Sequence, residues 1–235
     1  MDFRAKLIST LRAIRPVLEV PGVLVLGSEV PNLLEPDAAC TLVVSQDVDI
    51  GVSVQAHEAV KQHLPNIQGF SASADEPSVW LPHSPENIEI NFIGMDPRIQ
   101  DLSETYVLED SELPLMVFGA LSLVRPGHPV CVGDLSIPLP RLAGLLLEKL
   151  VTDRTAVKGE RDLLVALGLL ALASADDLEE LTHEYGALSK ESRFAIRSNL
   201  TILSLMNPLP QMPDPHAHRD RVAALLRRFE RIGEP

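Results

Sequence analysis

Two acids one residue apart, Asp47 and Asp49, lie in the stretch Ser45-Gln46-Asp47-Val48-Asp49-Ile50. Residues i and i+2 of a strand share a face. A strand here therefore turns both carboxylates one way and Val48 and Ile50 the other. Neighbouring carboxylates repel unless one is protonated or a cation lies between them. Hard divalent cations, Mg2+ above all and Mn2+ with it, favour such oxygen ligands and also bind substrate phosphates. Upstream, Gly27-Ser28 closes the apolar run Val23 to Leu26, and Asp47 follows Gly27 by 20 residues. A Gly-Ser turn lets backbone N–H groups and a hydroxyl approach a phosphate with no Cβ in the way. Asp-x-Asp equally describes an exposed strand end with two solvated acids, so the surroundings must decide.

Other chemistry-bearing residues point less far. His216-Ala217-His218 has a metal-like spacing but no third ligand nearby in sequence, and it reads as surface. His57 and His63 are six apart on one expected helix, which does not put both on one face. Cys40 and Cys131 are too few for a disulfide framework or a four-cysteine zinc site, and they read as buried or half-buried thiols. The chain has no Gly-x-Gly-x-x-Gly, Walker loop or Gly-x-Ser-x-Gly, so dinucleotide, P-loop and serine-hydrolase chemistry lack support. Trp80, Phe70 and Phe92 suit a sheet core better than a base-stacking platform.

The elements that must hold Asp47 and Asp49 follow from periodicity. Phe3, Leu7, Leu11, Ile14 and Leu18 recur at helical steps, so a helix is expected over 3–18, ended by Pro21-Gly22. Strands are expected at 23–26, 41–54, 70–73, 78–81, 88–93, 115–124 and 129–132, with short helices at 31–34 and 57–64. Residues 96–114 are acidic and read as irregular. After Pro140 the period changes, and 142–151, 160–172, 175–185, 191–206 and 216–231 all have helical spacing. Ser174 with Asp177 three residues on marks a helix start. Strands first and helices after give an α+β fold class.

Composition narrows the partners. Of 235 residues, 46% are apolar, enough for a sizeable core, and the net charge is −13. That charge argues against a general nucleic-acid binder. It is uneven: residues 1–15 sum to +3, residues 219–235 to +2, and 16–218 to −18. Basic ends on an acidic body suit solvated helix faces paired with that body, or else phosphate binding. No apolar run reaches the roughly 18 residues of a membrane span, and residues 1–15 lack the apolar core of a signal peptide. A cytoplasmic protein with no membrane partner is the expectation.

The order helix, strand, Gly27-Ser28 and then a strand carrying Asp47-Val48-Asp49 resembles the nucleotidyltransferase superfamily, the DNA polymerase β-like fold. That resemblance spans about residues 20–172. It implies divalent metal held by acidic residues and transfer of a nucleotidyl group from a nucleoside triphosphate to an acceptor hydroxyl. It also implies a third acid from a later strand, in a hydrophobic-x-hydrophobic-Asp pattern. The matching segment is Ile88-Glu89-Ile90-Asn91-Phe92-Ile93, which has Asn91 where the acid belongs. Asn is neutral and cannot accept the hydroxyl proton, whereas Glu89 shares the face and could substitute. The Gly27-to-Asp47 gap is also longer than the family's usual one. Further on, Leu147-Glu148-Lys149-Leu150 followed by Arg154, Lys158, Arg161 and Asp162 is similar to the abortive-infection toxin type of nucleotidyltransferase, as is a hairpin over 130–138 before it. The similarity implies that Lys149 and Lys158 meet the triphosphate, that Arg154 and Arg161 help, and that Asp162 orients a basic partner. Ordinary surface helices with i,i+4 charge pairs, such as Lys158 with Asp162, would look the same.

The expectation is thus an α+β protein. A nucleotidyltransferase-like mixed β-sheet flanked by helices spans 1–139, and a helical region spans 140–235. Asp47 and Asp49 would hold Mg2+ or Mn2+, with Glu89 and Asn91 beside them, and Gly27 and Ser28 would touch phosphate. The ligand is a nucleoside triphosphate and the acceptor is open. The alternative is a weakened or inactive member of the fold that binds nucleotide or a protein partner. The C-terminal helices could also bury an apolar face against a second copy.

Overall fold

The computed structural model describes residues 3–35, 47–152, 156–210 and 212–233, with side chains at all of these but 156–160 and 233. The chain divides into two compact units: Met1–Val30 with Val44–Pro140, and Pro31–Val43 with Arg141–Pro235. The first is a mixed sheet with helices and the second is helical, an α+β protein. No helix among the described residues is long and apolar enough to cross a membrane.

The first unit opens with α1 (Phe3–Ala13) and α2 (Arg15–Leu18) rather than one helix. Pro16 is the reason: it has no N–H to give the carbonyl four residues back. Then come β1 (Val23–Leu26), α3 (Glu29–Leu34, counted with the second unit from Pro31 on), β2 (Asp47–Ser53), α4 (His57–His63), β3 (Phe70–Ala72), β4 (Val79–Pro82) and β5 (Glu89–Met95). The expected strand over 41–54 is seen from Asp47; residues 41–46 lie outside the described residues. The sheet runs β1-β2-β5-β4-β3. β2 and β5 pair in parallel; β1–β2, β3–β4 and β4–β5 are antiparallel.

Two expectations beyond β5 are corrected. The segment 96–114 is not wholly irregular: it holds β6 (Thr105–Leu108), antiparallel to β7 (Leu115–Phe118), which in turn meets β5 through Val117 opposite Gly94. The expected strand over 115–124 stops at Phe118 and becomes a 3-10 turn over Gly119–Leu123. Gly119 forces the change. Its N–H donates to the Glu104 carbonyl at 2.7 Å, and a Cβ there would lie 2.3 Å from the Asp101 carbonyl oxygen. Strands β8 (Val130–Val132) and β9 (Leu135–Ile137) form a separate hairpin. Cys131 on β8 is exposed, against the expectation of a buried or half-buried thiol, and Cys40 lies outside the described residues.

One face of the sheet is the core. Val25, Val48, Ile50, Val52, Ile90 and Phe92 are at most 1% exposed, and the register sets Val48 against Ile90 and Ile50 against Phe92. Each such side chain stabilises the fold by roughly 1.5–3 kcal/mol through removal from water. Trp80 meets Phe92 edge-on at 6.3 Å, as a sheet-core pair does. His57 is buried with its Nε2 2.8 Å from the Leu113 carbonyl oxygen, a structural role.

The second unit is built on α5 (Leu142–Val151), buried along nearly its whole length. A helix apolar all round but for the Glu148–Lys149 pair must be enclosed, and α5 packs against α6 (Ala156–Leu172), α7 (Ala175–Ala187) and α8 (Lys190–Leu205). Ser174 and Asp177 form the expected capping box of α7: the Ser174 hydroxyl accepts from the Asp177 N–H, and the Asp177 carboxylate accepts from the Ser174 N–H. The last helix, α9 (Arg219–Gly233), buries Val222, Leu225 and Phe229, and Phe229 stacks on Tyr185 with ring centroids 3.8 Å apart. Its arginines are partly structural. Arg219 Nε donates to the Ser204 carbonyl at the end of α8, and Arg221 Nη2 to the Ala173 carbonyl just past α6. Carbonyls at helix C-termini lack intrahelical partners, so these bonds complete both helices.

Candidate functional site

The face of the sheet opposite the core carries the sequence-predicted acids. Along β2, Asp47 and Asp49 alternate with the fully buried Val48 and Ile50, so both carboxylates emerge on the other face and are half-buried there. Along β5, Glu89 and Asn91 alternate with the buried Ile90 and Phe92 in the same way. The parallel register sets Asp47 opposite Glu89 and Asp49 opposite Asn91. Four residues from two segments some 40 positions apart thus form a two-by-two patch on one sheet face. The same face continues into an apolar cluster of Leu24, Leu26, Met95, Leu121 and Val124, with Ile93 packed on it.

Asp49 is held from two sides. Asn91 Nδ2 donates to its Oδ1 at 3.0 Å. On the other side lies β1, where Leu26 is opposite Asp49 and the chain turns at Gly27. Gly27 has φ +76°, the left-handed region that favours glycine. A Cβ on Gly27 would lie 2.4 Å from Asp49 Oδ2. Gly27 therefore serves two purposes: it makes the turn, and it leaves the space that the Asp49 carboxylate occupies. The next residue, Ser28, donates its hydroxyl to Glu29 Oε1 at 2.9 Å, and Glu29 is buried at 1% exposure.

The electrostatics of the patch are those of crowded acids. Glu89 is held above the ordinary Glu range, first by burial, then by the charge of Asp47, and last by Glu76. A group of this kind gains most from a cation, which removes the repulsion and the desolvation penalty together. Among the described residues, no group of three or more His, Cys, Asp or Glu is arranged to hold a metal ion. The donor set nonetheless suits a hard cation that keeps its waters. Mg2+ is usually bound by one or two carboxylates plus substrate phosphate oxygens, and Asp47 and Asp49 supply that share from one strand.

The basic residues named from sequence are not gathered in this way. Lys149 on α5 is buried at 7% exposure, 3.2 Å from Glu148 Oε2 and 4.0 Å from Asp162 Oδ1. Asp162 does sit by a basic side chain, and that side chain is Lys149. Arg161 is exposed on α6. Lys158 belongs to α6 but its side chain is outside the description, and Arg154 lies outside the described residues. His216 is exposed and His218 half-buried at the start of α9.

Sequence reasoning did not foresee three contributors: Glu76, the buried Glu29 and the contact between Gly27 and Asp49. The last had a signal. A glycine directly after a four-residue apolar strand marks a turn, but only the antiparallel pairing of β1 with β2 brings that turn to Asp49. The chain matches no family model and no curated protein.

Proposed function

We propose that the first unit carries a divalent-metal–nucleotide site on the open face of β2 and β5, and that the protein moves a nucleotidyl group from a nucleoside triphosphate to an acceptor hydroxyl. One observation carries this reading: Asp47 and Asp49 lie side by side, opposite Glu89 and Asn91, with the Gly27 turn against Asp49. The resemblance to the nucleotidyltransferase superfamily in the order of these motifs supports it. Asp47 and Asp49 would hold Mg2+ or Mn2+, which would neutralise charge on the phosphate oxygens. The Gly27 turn and Ser28 would offer backbone N–H groups and a hydroxyl to phosphate. Glu89, whose proton affinity is raised by burial and by Asp47, would take the proton of the attacking hydroxyl. The acceptor oxygen forms a bond to the α-phosphorus, the bond from that phosphorus to the bridging oxygen breaks, and pyrophosphate leaves. Lys149 is engaged with acids of its own unit, and the residues that would act in transfer all belong to the first unit.

A second reading is favoured by Asn91. At the position where the superfamily has an acid, this chain has an amide that donates to Asp49. A site so built would hold metal and nucleotide without turnover. Pyrophosphate release from each of the four nucleoside triphosphates, with Mg2+ and then Mn2+, separates the two. Release by the wild type that is lost in Asp47→Ala and Asp49→Ala supports transfer. Release equal to those variants, with calorimetric nucleotide binding that the variants lack, supports binding alone. Neither release nor binding contradicts both.

A further inference from the structure

The last helix concentrates cations in an acidic chain. Five of the 20 Lys and Arg residues fall in the final 17 positions, while the whole protein carries −13. Helical spacing sorts α9 into two faces. Val222, Leu225 and Phe229 are buried in the bundle. Arg227, Arg228 and Arg231 are exposed, and Arg231 lies four and three residues after the other two, so they share a flank beside that buried face. Between that flank and α6 and α7 lies a cavity of about 320 Å3. Its apolar lining comes from Leu178 and Ala224, with the buried Leu170 and Leu225 behind them, and its charged lining from Arg221, Arg227, Arg228 and Arg231.

Two of the four guanidinium groups are fixed by the bundle. Arg221 is half-buried and tied to the Ala173 carbonyl at 2.6 Å, and Arg228 Nη1 reaches the Thr182 hydroxyl at 3.4 Å. A guanidinium has five donors in a planar fork, so each keeps most of its donors for a ligand. Such forks match a phosphate with paired hydrogen bonds and, being tethered, lose less freedom when they do so. Guanidinium groups around one cavity also repel one another, and an anion among them relieves that. Leu178 is half-buried and Ala224 exposed, so a bare ion would leave this apolar surface wet and a short apolar body would cover it. The volume is at the small end of the ligand-pocket range, which fits a small molecule and not a folded chain.

We propose that the cavity between α6, α7 and α9 binds a small soluble organophosphate, a phosphomonoester whose short apolar body rests on Leu178 and Ala224. The site is independent of the carboxylate patch. Arginine stays charged at all ordinary pH, so pH acts through the ligand. Binding strengthens as pH rises through about 6, where the phosphate gains its second charge. It also weakens as salt is added, because much of the site is exposed.

The test uses the full chain and hexyl phosphate as probe, by titration calorimetry at pH 5.5 and 7.5. The expected result is saturable binding at least tenfold tighter than that of inorganic phosphate or of hexanol, and tighter at pH 7.5 than at pH 5.5. Arg228→Ala with Arg231→Ala should cost tenfold or more, while Arg193→Ala with Arg197→Ala, on another basic surface of the same unit, should leave the affinity unchanged. Arg228→Lys with Arg231→Lys keeps the charge and removes the forks; it should still weaken binding severalfold. Matching thermal unfolding curves show that each variant folds. Equal losses from both alanine pairs would reveal mere surface charge and overturn the proposal. So would inorganic phosphate binding as tightly as hexyl phosphate, or binding only to phosphatidic acid vesicles.

Discussion

Asp49 is the residue on which the site turns, because three strands converge on it. Gly27 gives it room and Asn91 gives it a donor. Gly27→Ala places a Cβ 2.4 Å from a carboxylate oxygen at a left-handed φ. It should cost about 2 kcal/mol in denaturant unfolding and should weaken metal binding at the same time. Asn91→Asp exchanges a hydrogen bond for a repulsion. In chelator it should lower stability by about 1–2 kcal/mol, and saturating Mg2+ should restore more of that loss than it adds to the wild type. Glu89 titrates in a distinctive sense. Its affinity for a proton is higher folded than unfolded, so its ionisation opposes folding once pH rises above the ordinary Glu range. Glu89→Gln should therefore raise the melting temperature at pH 7, and the advantage should shrink as pH falls from the raised folded value of Glu89 toward the ordinary Glu value. Thermal melts across pH read this directly.

At the scale of elements, the strands and helices were legible where one local rule governed them. The Ser174–Asp177 capping box was visible as spacing, and α7 starts there. Ser174→Ala should cost about 1 kcal/mol, seen as a lower denaturation midpoint with unchanged slope. The alternation that hides Val48 and Ile50 told which way Asp47 and Asp49 face. What the sequence could not disclose was pairing. Nothing local says that β2 lies parallel to β5, or that Asp49 meets Asn91 across 42 positions. The strand expected over 115–124 failed for a similar reason. Its apolar run continues past Phe118, but Gly119 packs on the carbonyls of Asp101 and Glu104, contacts made by a distant loop. β6 went unseen because Thr105 to Leu108 is short and embedded among acids.

At the scale of the molecule, the charge imbalance resolves into distinct local settings. Asp96 is buried and held down to about 2, mainly by the side chain of Arg98. Asp110 is likewise held well below the usual carboxylate range, first by Lys61. Such groups favour folding above the ordinary Asp value, and that contribution fades as pH falls toward their folded values. Asp96→Asn should lower stability at pH 7 and flatten the acid limb of the stability curve between about pH 4 and pH 2. Glu89 has the opposite sign. The carboxylates that stabilise the fold are thus separable from those that the fold crowds together, and the crowded ones lie on the open face of β2 and β5. The arginines at the C-terminal end divide as well: Arg219 completes a helix end, Arg227, Arg228 and Arg231 face a cavity, and Arg221 does both. The summed charge seen in the sequence concealed both divisions, because burial and partners, not counts, set the behaviour of each group.

The central claim is that the Asp47–Asp49 pair holds a divalent cation with nucleotide. Mn2+ binding followed by electron paramagnetic resonance, with and without ATP, addresses it most directly. The wild type is expected to bind Mn2+ weakly alone and at least tenfold more tightly with ATP, and Asp47→Asn with Asp49→Asn is expected to lose that binding while staying folded. Mn2+ and ATP bound equally by wild type and variant would contradict the account.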